Sequence, residues 1–480
     1  MRAMLRKTKA RPDESVAQLG RIDLPSLEGA LSRPSPRKAA RGWYAPRQTP
    51  APITTRQAEI LNPALVGAPT DDEGVLQGRD VMSNLPVASD PFAAYERKQV
   101  TSPNVAVLGM IGSGKSSLLK TVYVLRPMVL RDRRCVVIDR KDQAGEGEYA
   151  VVARALGTTP FKLLLGGGPG STRLNPLDPV ILRGGGVPVQ LRLLASMAEQ
   201  AGEGQVLDKW ERKALRIAHA ATLRAAETAQ RVPVLEDLIP NLGGLPADWR
   251  ADYSTQAAER LHQAGLGVRF LLDAVGDELE GLFDGPTSEH VRLDSPLTVF
   301  DVSQLPEAGP AVPMAVAIAN TWLMGELRHK RGLRTTFVAE EGWHLVEGAG
   351  GRLFRSNSKL SRGLGLSNVA ALHHISDIPP GSPGEAMLRE AQTVHIFRQE
   401  RDDDIEATIR MFGLQRGSRE TLANLAPGHY LLKIGNRREL YVEHVRSPLE
   451  KQITDTDAAM TGRGLPNLAA AHHGAGQAQS

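Results

Sequence analysis

Short runs of consecutive apolar residues recur along the chain from residue 104 onward. Five of them span residues 104–108, 135–138, 297–300, 335–339 and 368–372, and Gly, Asp or Pro bounds several of them. A strand with one solvated face alternates apolar and polar residues, whereas a continuous apolar run is typical of a strand buried on both faces. These runs therefore predict strands of a largely parallel sheet.

Helix-like segments separate these runs. Residues 115–124, 313–328 and 402–411 resemble helices, and their alternation with the strands indicates an α/β fold with a mostly parallel central sheet. Residues 188–283 break the alternation, because they are rich in Ala, Leu, Glu, Arg and Gln, most of which favour helices. We therefore predict an all-helical insertion within the sheet domain.

Length and composition set the domain organisation. The chain has 480 residues, of which 41% are hydrophobic, so it can bury a large core and is not wholly disordered or a coiled coil. The pattern predicts a disordered arm at 1–95, a core in two parts at 96–187 and 284–450 around the insertion at 188–283, and a flexible tail at 451–480.

The predicted arm carries the basic character of the chain. Residues 1–50 contain eleven Lys or Arg against four Asp or Glu, although the whole chain has a net charge of only +4. Eleven of the 32 prolines lie within residues 1–95, without a sustained helical or strand period. Such an arm can bind nucleic acid, an anionic membrane surface or a channel protein, or can be a solvated linker.

The composition also indicates a compartment. Cys135 is the single cysteine, so no internal disulfide forms, and its apolar neighbours predict a buried thiol in a reducing environment. The longest uncharged stretch spans only 18 residues between Glu307 and Glu326 and includes two prolines. That is short and polar for a membrane-spanning helix, and the N-terminus lacks the apolar segment of a signal peptide. We expect a cytoplasmic protein.

A phosphate-binding loop follows the first apolar run. Residues 109–116 match G-x-x-x-x-G-K-[ST], with a predicted strand before the loop and a helix after it. Backbone N–H groups of such a loop surround phosphate oxygens, while Lys115 reaches the β- and γ-phosphates of ATP and the Ser116 hydroxyl coordinates Mg²⁺. The predicted nucleotide-binding residues are Gly109, Met110, Ile111, Gly112, Ser113, Gly114, Lys115, Ser116 and Ser117.

Hydrolysis also needs carboxylates, one for the Mg²⁺ shell and one to position or deprotonate the attacking water. Glu340 and Glu341 follow the apolar run 335–339, whereas Asp301 alone follows the run 297–300. The carboxylates at either strand end could take part in catalysis. We assign Glu340 to the metal shell and Glu341 to the water, because two acidic groups stand together there, and we interpret Asp301 as a residue that turns the chain at a strand end.

Further motifs follow the phosphate-binding loop in a defined order, at residues 136–141, 146–149, 173–178, 282–287, 297–303, 340–343 and 376–377. Together they resemble the motor domain of conjugal-transfer type IV secretion ATPases of the VirB/TraC class, relatives of the HerA and FtsK pumping ATPases, over residues 98–450. The resemblance implies a RecA-like P-loop core and a homo-oligomeric ring, expected to be a hexamer with ATP at subunit interfaces. It further implies partners in a conjugative transfer channel and recruitment to the inner face of the cell membrane.

Several catalytic positions are implied by this resemblance. Glu340 stands where the family usually has Asp, and His373 stands where relatives place a Gln that senses the γ-phosphate. His373 can replace that amide as a hydrogen-bond donor or can be a structural residue. Ring-forming relatives supply an arginine in trans to the γ-phosphate of the neighbouring subunit, and the candidates here are Arg398 and Arg362.

Three functions are compatible with these features. The first is an ATP-hydrolysing motor of a conjugative DNA-transfer or type IV secretion apparatus. The second is a DNA-pumping translocase like HerA and FtsK, which would show DNA-stimulated hydrolysis and steeply salt-dependent binding. The third is a weakly hydrolysing, ATP-binding assembly scaffold, because the longer Glu340 side chain changes the metal geometry.

Overall fold

The computed structural model describes residues 74–245, 253–340, 351–352, 362–376, 378–379 and 381–455. The parts of the predicted arm and tail at 1–73 and 456–480 lie outside these residues. Within the described part of the chain, no helix is both long enough and apolar enough to cross a membrane.

The described residues form one sheet of 11 strands, in the order β2-β1-β11-β10-β9-β3-β8-β7-β4-β6-β5. The strands are β1 Val75–Asp80, β2 Pro86–Ser89, β3 Val105–Leu108, β4 Arg133–Asp139, β5 Phe161–Lys162, β6 Leu297–Asp301, β7 Arg334–Ala339, β8 Leu366–Leu372, β9 Thr393–Ile396, β10 His429–Ile434 and β11 Leu440–Glu443. From β9 to β5 every neighbouring pair is parallel, and from β9 to β2 every pair is antiparallel. The mostly parallel sheet predicted from the apolar runs is confirmed.

Thirteen α-helices within the described residues connect or cover these strands. They are α1 Pro91–Glu96, α2 Lys115–Leu118, α3 Ala150–Ala155, α4 Pro179–Arg183, α5 Val187–Ala201, α6 Lys209–Thr228, α7 Leu235–Leu238, α8 Thr255–Glu278, α9 Ala311–His329, α10 Pro383–Glu390, α11 Asp402–Phe412, α12 Ser418–Asn424 and α13 Pro448–Thr454. A π-helical stretch, Leu119–Leu125, continues α2. The helix predicted at 115–124 is therefore present but changes its hydrogen-bonding period after one turn.

The central strands are buried on both faces because helices pack on both sides of the sheet. Every residue of β3, β4, β6 and β8 is buried. Alternate residues of one strand belong to different apolar clusters: Val136 and Ile138 pack in one, Cys135 and Val137 in the other. Continuous apolar runs arise from this arrangement, and Cys135 is fully buried as predicted.

Helices α5 to α8 form the helical insertion between β5 and β6, in agreement with the prediction. Helix α6 begins with a capping box, in which the Asp208 side chain accepts from the Glu211 backbone N–H and the Glu211 side chain accepts from the Asp208 N–H. Helix α8 packs against both α5 and α6. The insertion thus has its own apolar contacts, and the strands on either side of it stay paired in one sheet.

The predicted boundary of the arm at residue 95 is wrong. Strands β1 and β2 and helix α1 all lie before it, and β1 extends the sheet by pairing with β11. Strand β1 lacks a continuous apolar run because it contains polar residues, of which Gln77 is buried and donates to the backbone of Ser89. Strand β2 has only four residues, and Asp90 after it caps α1 by accepting from the Phe92 N–H. A strand that buries polar side chains in this way gives no continuous apolar run.

Candidate nucleotide-binding site

The phosphate-binding loop joins β3 to α2 at the carboxyl edge of the parallel strands, the edge where open α/β sheets bind ligands. Gly109 has a φ of 145° and Gly114 a φ of 106°, backbone angles that residues other than glycine rarely adopt. A Cβ at Gly109 would also lie 2.5 Å from Cβ of Phe397, which follows the neighbouring strand β9. The loop therefore needs glycine at these positions both for backbone conformation and for close packing.

Lys115 is the first residue of α2, and its side chain contacts the start of the loop. Its Nζ lies 2.8 Å from the Met110 carbonyl oxygen and 2.5 Å from that of Gly109. It also lies 3.0 Å from Nδ1 of His373, just beyond the end of β8. Burial and the Lys115 charge lower the pKa of His373 to about 4, so its ring is neutral near pH 7. Because Nδ1 accepts from Lys115, the remaining proton is on Nε2, which is a donor.

Ser116 and Glu340 meet at the same edge, although 224 positions separate them in the chain. The Ser116 hydroxyl donates to Oε2 of Glu340 at 3.0 Å, and the Tyr149 hydroxyl lies 2.6 Å from Oε1. Burial and the neighbouring Glu148 carboxylate raise the pKa of Glu340 to about 7. Strand β7 positions Glu340 because β3, β8 and β7 are adjacent and parallel.

Asp301 and Asp139 lie side by side at the ends of the paired strands β6 and β4. The Asp301 carboxylate accepts from the N–H groups of Ser303 and Gly147, both at 3.0 Å, so it fixes the turn after β6. Asp139 Oδ2 accepts from the Tyr149 N–H at 2.6 Å. Burial raises the pKa of Asp139 well above its usual range, and the neighbouring carboxylate of Asp301 adds to the effect.

We expect Gly147→Ala to destabilise the protein. A Cβ at this position would lie 2.2 Å from Oδ2 of Asp139 and 2.9 Å from Oδ1 of Asp301. Because both carboxyl groups are buried and hydrogen-bonded, we expect a loss of about 1–3 kcal/mol in unfolding free energy, measured by urea denaturation. The control is Gly276→Ala in α8, where a Cβ meets nothing within 4 Å and Ala is the better helix former. An unchanged unfolding free energy for Gly147→Ala would contradict this account.

A cavity of about 420 Å³ lies above the loop, and Lys115, Ser116, Glu340 and His373 all line it. Sequence reasoning missed one side of it, which the residues just before β10 and those after β11 provide. There Arg446 donates to the hydroxyls of Ser117 at 3.1 Å and of Thr454 at 3.0 Å. The other cavity-lining residues that the sequence did not indicate are Lys141, Ala371, Pro427, Gly428, His444, Lys451 and Asp455. Pro427 and Gly428 precede β10 and His444, Lys451 and Asp455 follow β11, so these five reach the loop only through the antiparallel strands. Lys141 follows β4, and Ala371 lies within β8.

For the remaining predicted catalytic residues, Arg398, Arg362 and Glu341, the structure shows no side-chain contact with the loop within the described residues. Arg398 follows β9, and its backbone carbonyl accepts from the Met110 N–H at 3.0 Å, while its guanidinium lies 3.6 Å from the Glu400 carboxylate. Arg362 begins a short 3₁₀ helix before β8. Glu341 and the side chain of Arg362 lie outside the described residues. The structure thus brings Lys115, Ser116, Glu340 and His373 together.

The oxygen atoms at this edge fit a Mg²⁺ ion. Mg²⁺ binds through one or two protein oxygens together with substrate phosphates and water, rather than in a cage of protein ligands. The Ser116 hydroxyl and the Glu340 carboxylate supply two such oxygens, and both line the cavity. Among the described residues no cluster of three or more His, Cys, Asp or Glu side chains could hold a metal by itself. The donor set therefore suits a metal that arrives with a nucleotide.

Comparisons with known proteins agree with the fold. No protein-family model matches the chain, and no curated protein matches it in sequence. The structure of VirB4 of Thermoanaerobacter pseudethanolicus matches with a TM-score of 0.64 and 23% identity, covering 79% of this chain and 99% of that chain. The bacterial conjugative coupling protein TrwB matches in its unbound form with a TM-score of 0.48 and 16% identity, covering 79% and 90%. Its complex with ADP and Mg²⁺ matches with a TM-score of 0.45 and 16% identity, covering 79% and 97%.

The VirB4 match confirms the fold that the sequence resemblance implied, a RecA-like P-loop core. It extends over nearly all of the VirB4 chain, so it is not limited to the loop and its two flanking elements.

Proposed function

We propose that this protein is an ATP-hydrolysing motor of a conjugative DNA-transfer or type IV secretion apparatus. The observation that carries the proposal is the convergence of Lys115, Ser116 and Glu340 in one cavity at the carboxyl edge of a VirB4-like sheet. We further propose that it works as a homo-oligomeric ring with ATP at subunit interfaces. Channel components would recruit this ring to the inner face of the membrane.

The residues of the cavity have distinct roles in this proposal. The loop N–H groups and the Lys115 ammonium bind the phosphates of ATP and stabilise the charge that develops during phosphoryl transfer. Ser116 and Glu340 hold Mg²⁺, which neutralises phosphate charge when bound. The Nε2–H group of His373 donates a hydrogen bond to the γ-phosphate, and Glu341 positions the attacking water. Arg398 or Arg362 would act in trans on the neighbouring subunit.

Steady-state hydrolysis by the full chain tests the proposal. We expect Mg²⁺-dependent ATP turnover that is lost in Glu341→Gln, because that change removes the proposed base and keeps the size of the side chain. Turnover should be measured with and without duplex DNA at several salt concentrations. Stimulation by DNA that falls steeply with salt would favour a direct DNA pump. Tight Mg²⁺-ATP binding without turnover would exclude a hydrolytic motor.

One observation supports a second candidate, the weakly hydrolysing scaffold. The pKa of Glu340 is raised to about 7 by burial and by Glu148, so near neutral pH a fraction of the carboxyl groups is protonated. A protonated carboxyl is a poor ligand for Mg²⁺, and a lower metal affinity would slow hydrolysis more than nucleotide binding. The scaffold hypothesis therefore predicts ATP-dependent assembly, measured by light scattering, with little turnover at pH 7.

A further inference from the structure

Tyr149 is fully buried beneath the Ser116–Glu340 pair. Tyr149 is the last residue of the sequence motif at residues 146–149, and the proposed reaction gives this motif no role. The Tyr149 hydroxyl lies 2.6 Å from Oε1 of Glu340, while the Ser116 hydroxyl lies 3.0 Å from Oε2. Each oxygen of this carboxylate therefore has its own hydroxyl partner, and the two partners come from different parts of the chain.

The surroundings of Tyr149 fix its ring. Its backbone N–H donates to Asp139 Oδ2 at 2.6 Å, which ties the start of α3 to the end of β4. The Lys120 ammonium lies 5.4 Å from the centre of the ring and forms a buried ion pair with Glu148 at 2.8 Å. Burial raises the pKa of Tyr149 well above its usual range, so the phenol keeps its proton and donates to Glu340.

A glutamate at this position has a reason to need such a partner. Its side chain has one more rotatable bond than that of an aspartate. Metal binding fixes this side chain in one rotamer, and the loss of conformational entropy lowers the affinity for the metal. A hydrogen bond from a rigid ring to one oxygen selects one rotamer before the metal arrives. That rotamer leaves Oε2 beside Ser116, at the wall of the cavity.

We propose that Tyr149 is a positioning residue for the metal site: its hydroxyl holds Glu340 in the rotamer that binds Mg²⁺ together with Ser116. This inference rests on the proposed nucleotide site. Tyr149 acts only through Glu340, so it affects the binding of Mg²⁺ with the nucleotide and leaves the metal-free interaction of the loop with phosphate unchanged.

The test compares Tyr149→Phe with Tyr123→Phe in the full chain. Tyr123 is also buried, and its hydroxyl lies 2.6 Å from His395 Nε2, a partner that does not line the cavity, so both variants lose one buried hydroxyl. We expect Tyr149→Phe to raise the Mg²⁺ concentration for half-maximal ADP binding about 10- to 100-fold, with ADP affinity in EDTA unchanged. Tyr123→Phe should leave both values as in the wild type. Calorimetric titration measures them without turnover.

A variant with a shorter carboxylate gives a second, independent test. Glu340→Asp removes one methylene and cannot keep both hydroxyl contacts, so it should also raise the Mg²⁺ requirement. The double variant Tyr149→Phe/Glu340→Asp should then resemble Glu340→Asp alone, because the shorter side chain draws its carboxylate back from the Tyr149 hydroxyl. Additive effects in the double variant, or a wild-type Mg²⁺ dependence in Tyr149→Phe, would overturn the inference.

These outcomes separate the inference from the proposed function. Absence of ATP turnover in the wild type would reject the motor, yet the Mg²⁺ dependence of ADP binding would still test Tyr149. Normal turnover with an unchanged Mg²⁺ dependence in Tyr149→Phe would keep the motor and reject the positioning role.

Discussion

Replacement of Lys115 by Ala is expected to lower ATP turnover by about 10²- to 10³-fold, the usual effect of removing one preorganised group that stabilises developing charge. Lys115 Nζ is held by the Met110 carbonyl and by His373 Nδ1, at 2.8 and 3.0 Å, at the wall of the cavity. An alanine leaves no cation at this point, so the β- and γ-phosphates lose their charge partner. The initial rate at saturating Mg²⁺-ATP measures the effect.

Nucleotide binding gives an independent readout for the same variant. Because a ligand that binds only the folded state stabilises it, Mg²⁺-ATP should raise the melting temperature of the wild type and raise that of Lys115→Ala much less. The matched control is Lys330→Ala, which removes a lysine paired with Asp294 and Glu326 between α9 and β7. This lysine lies before β7, at the opposite end of the strand from Glu340, and its loss should leave turnover unchanged. Undiminished turnover in Lys115→Ala would contradict the proposed site.

The core of the fold and half of the site could be predicted because their signals are local. The loop at 109–116 is a contiguous motif, and β3 and α2 around it have the expected apolar run and helix. Glu340 could be predicted because a carboxylate at the end of a buried parallel strand lies at the same edge as the loop. The adjacency of β3, β8 and β7 then brings Ser116 and Glu340 within hydrogen-bonding distance.

The rest could not be predicted because it depends on contacts between distant residues. Arg446 and Ser117 are 329 positions apart, and Tyr149 and Glu340 are 191 positions apart. Tyr149 and Glu340 each lie in a motif of the sequence, but no motif or period shows that the two side chains meet, or that Arg446 and Ser117 do. The sequence places strand β1 in the arm for a different reason: its polar residues, including the buried Gln77, interrupt any apolar run. Polar groups that are buried together can be recognised only after the fold places them.

Lys120 and Glu148 form a buried ion pair next to the site, and the stability of the fold depends on both charges being present. Lys120 and Glu148 each expose 1% of their side chains, and Lys120 Nζ lies 2.8 Å from Glu148 Oε1. Transfer of two charges from water into the interior costs several kcal/mol for each ion, and the attraction between them offsets that cost only while both are present. A second cation, Lys141, lies 3.8 Å from the other Glu148 oxygen but is half exposed, so it compensates only weakly.

Lys120→Met is therefore expected to lower the free energy of unfolding by about 3–5 kcal/mol, because Met fills the space of the Lys chain but leaves Glu148 as a buried, uncompensated charge. Lys120→Met/Glu148→Met removes both charges and should recover most of that loss. As a control, Arg389→Met breaks the exposed pair with Glu385 and should leave stability nearly unchanged. Urea denaturation at pH 7 measures all three. A double variant less stable than Lys120→Met would mean that Glu148 stabilises the site without its partner, in conflict with the pairing described above.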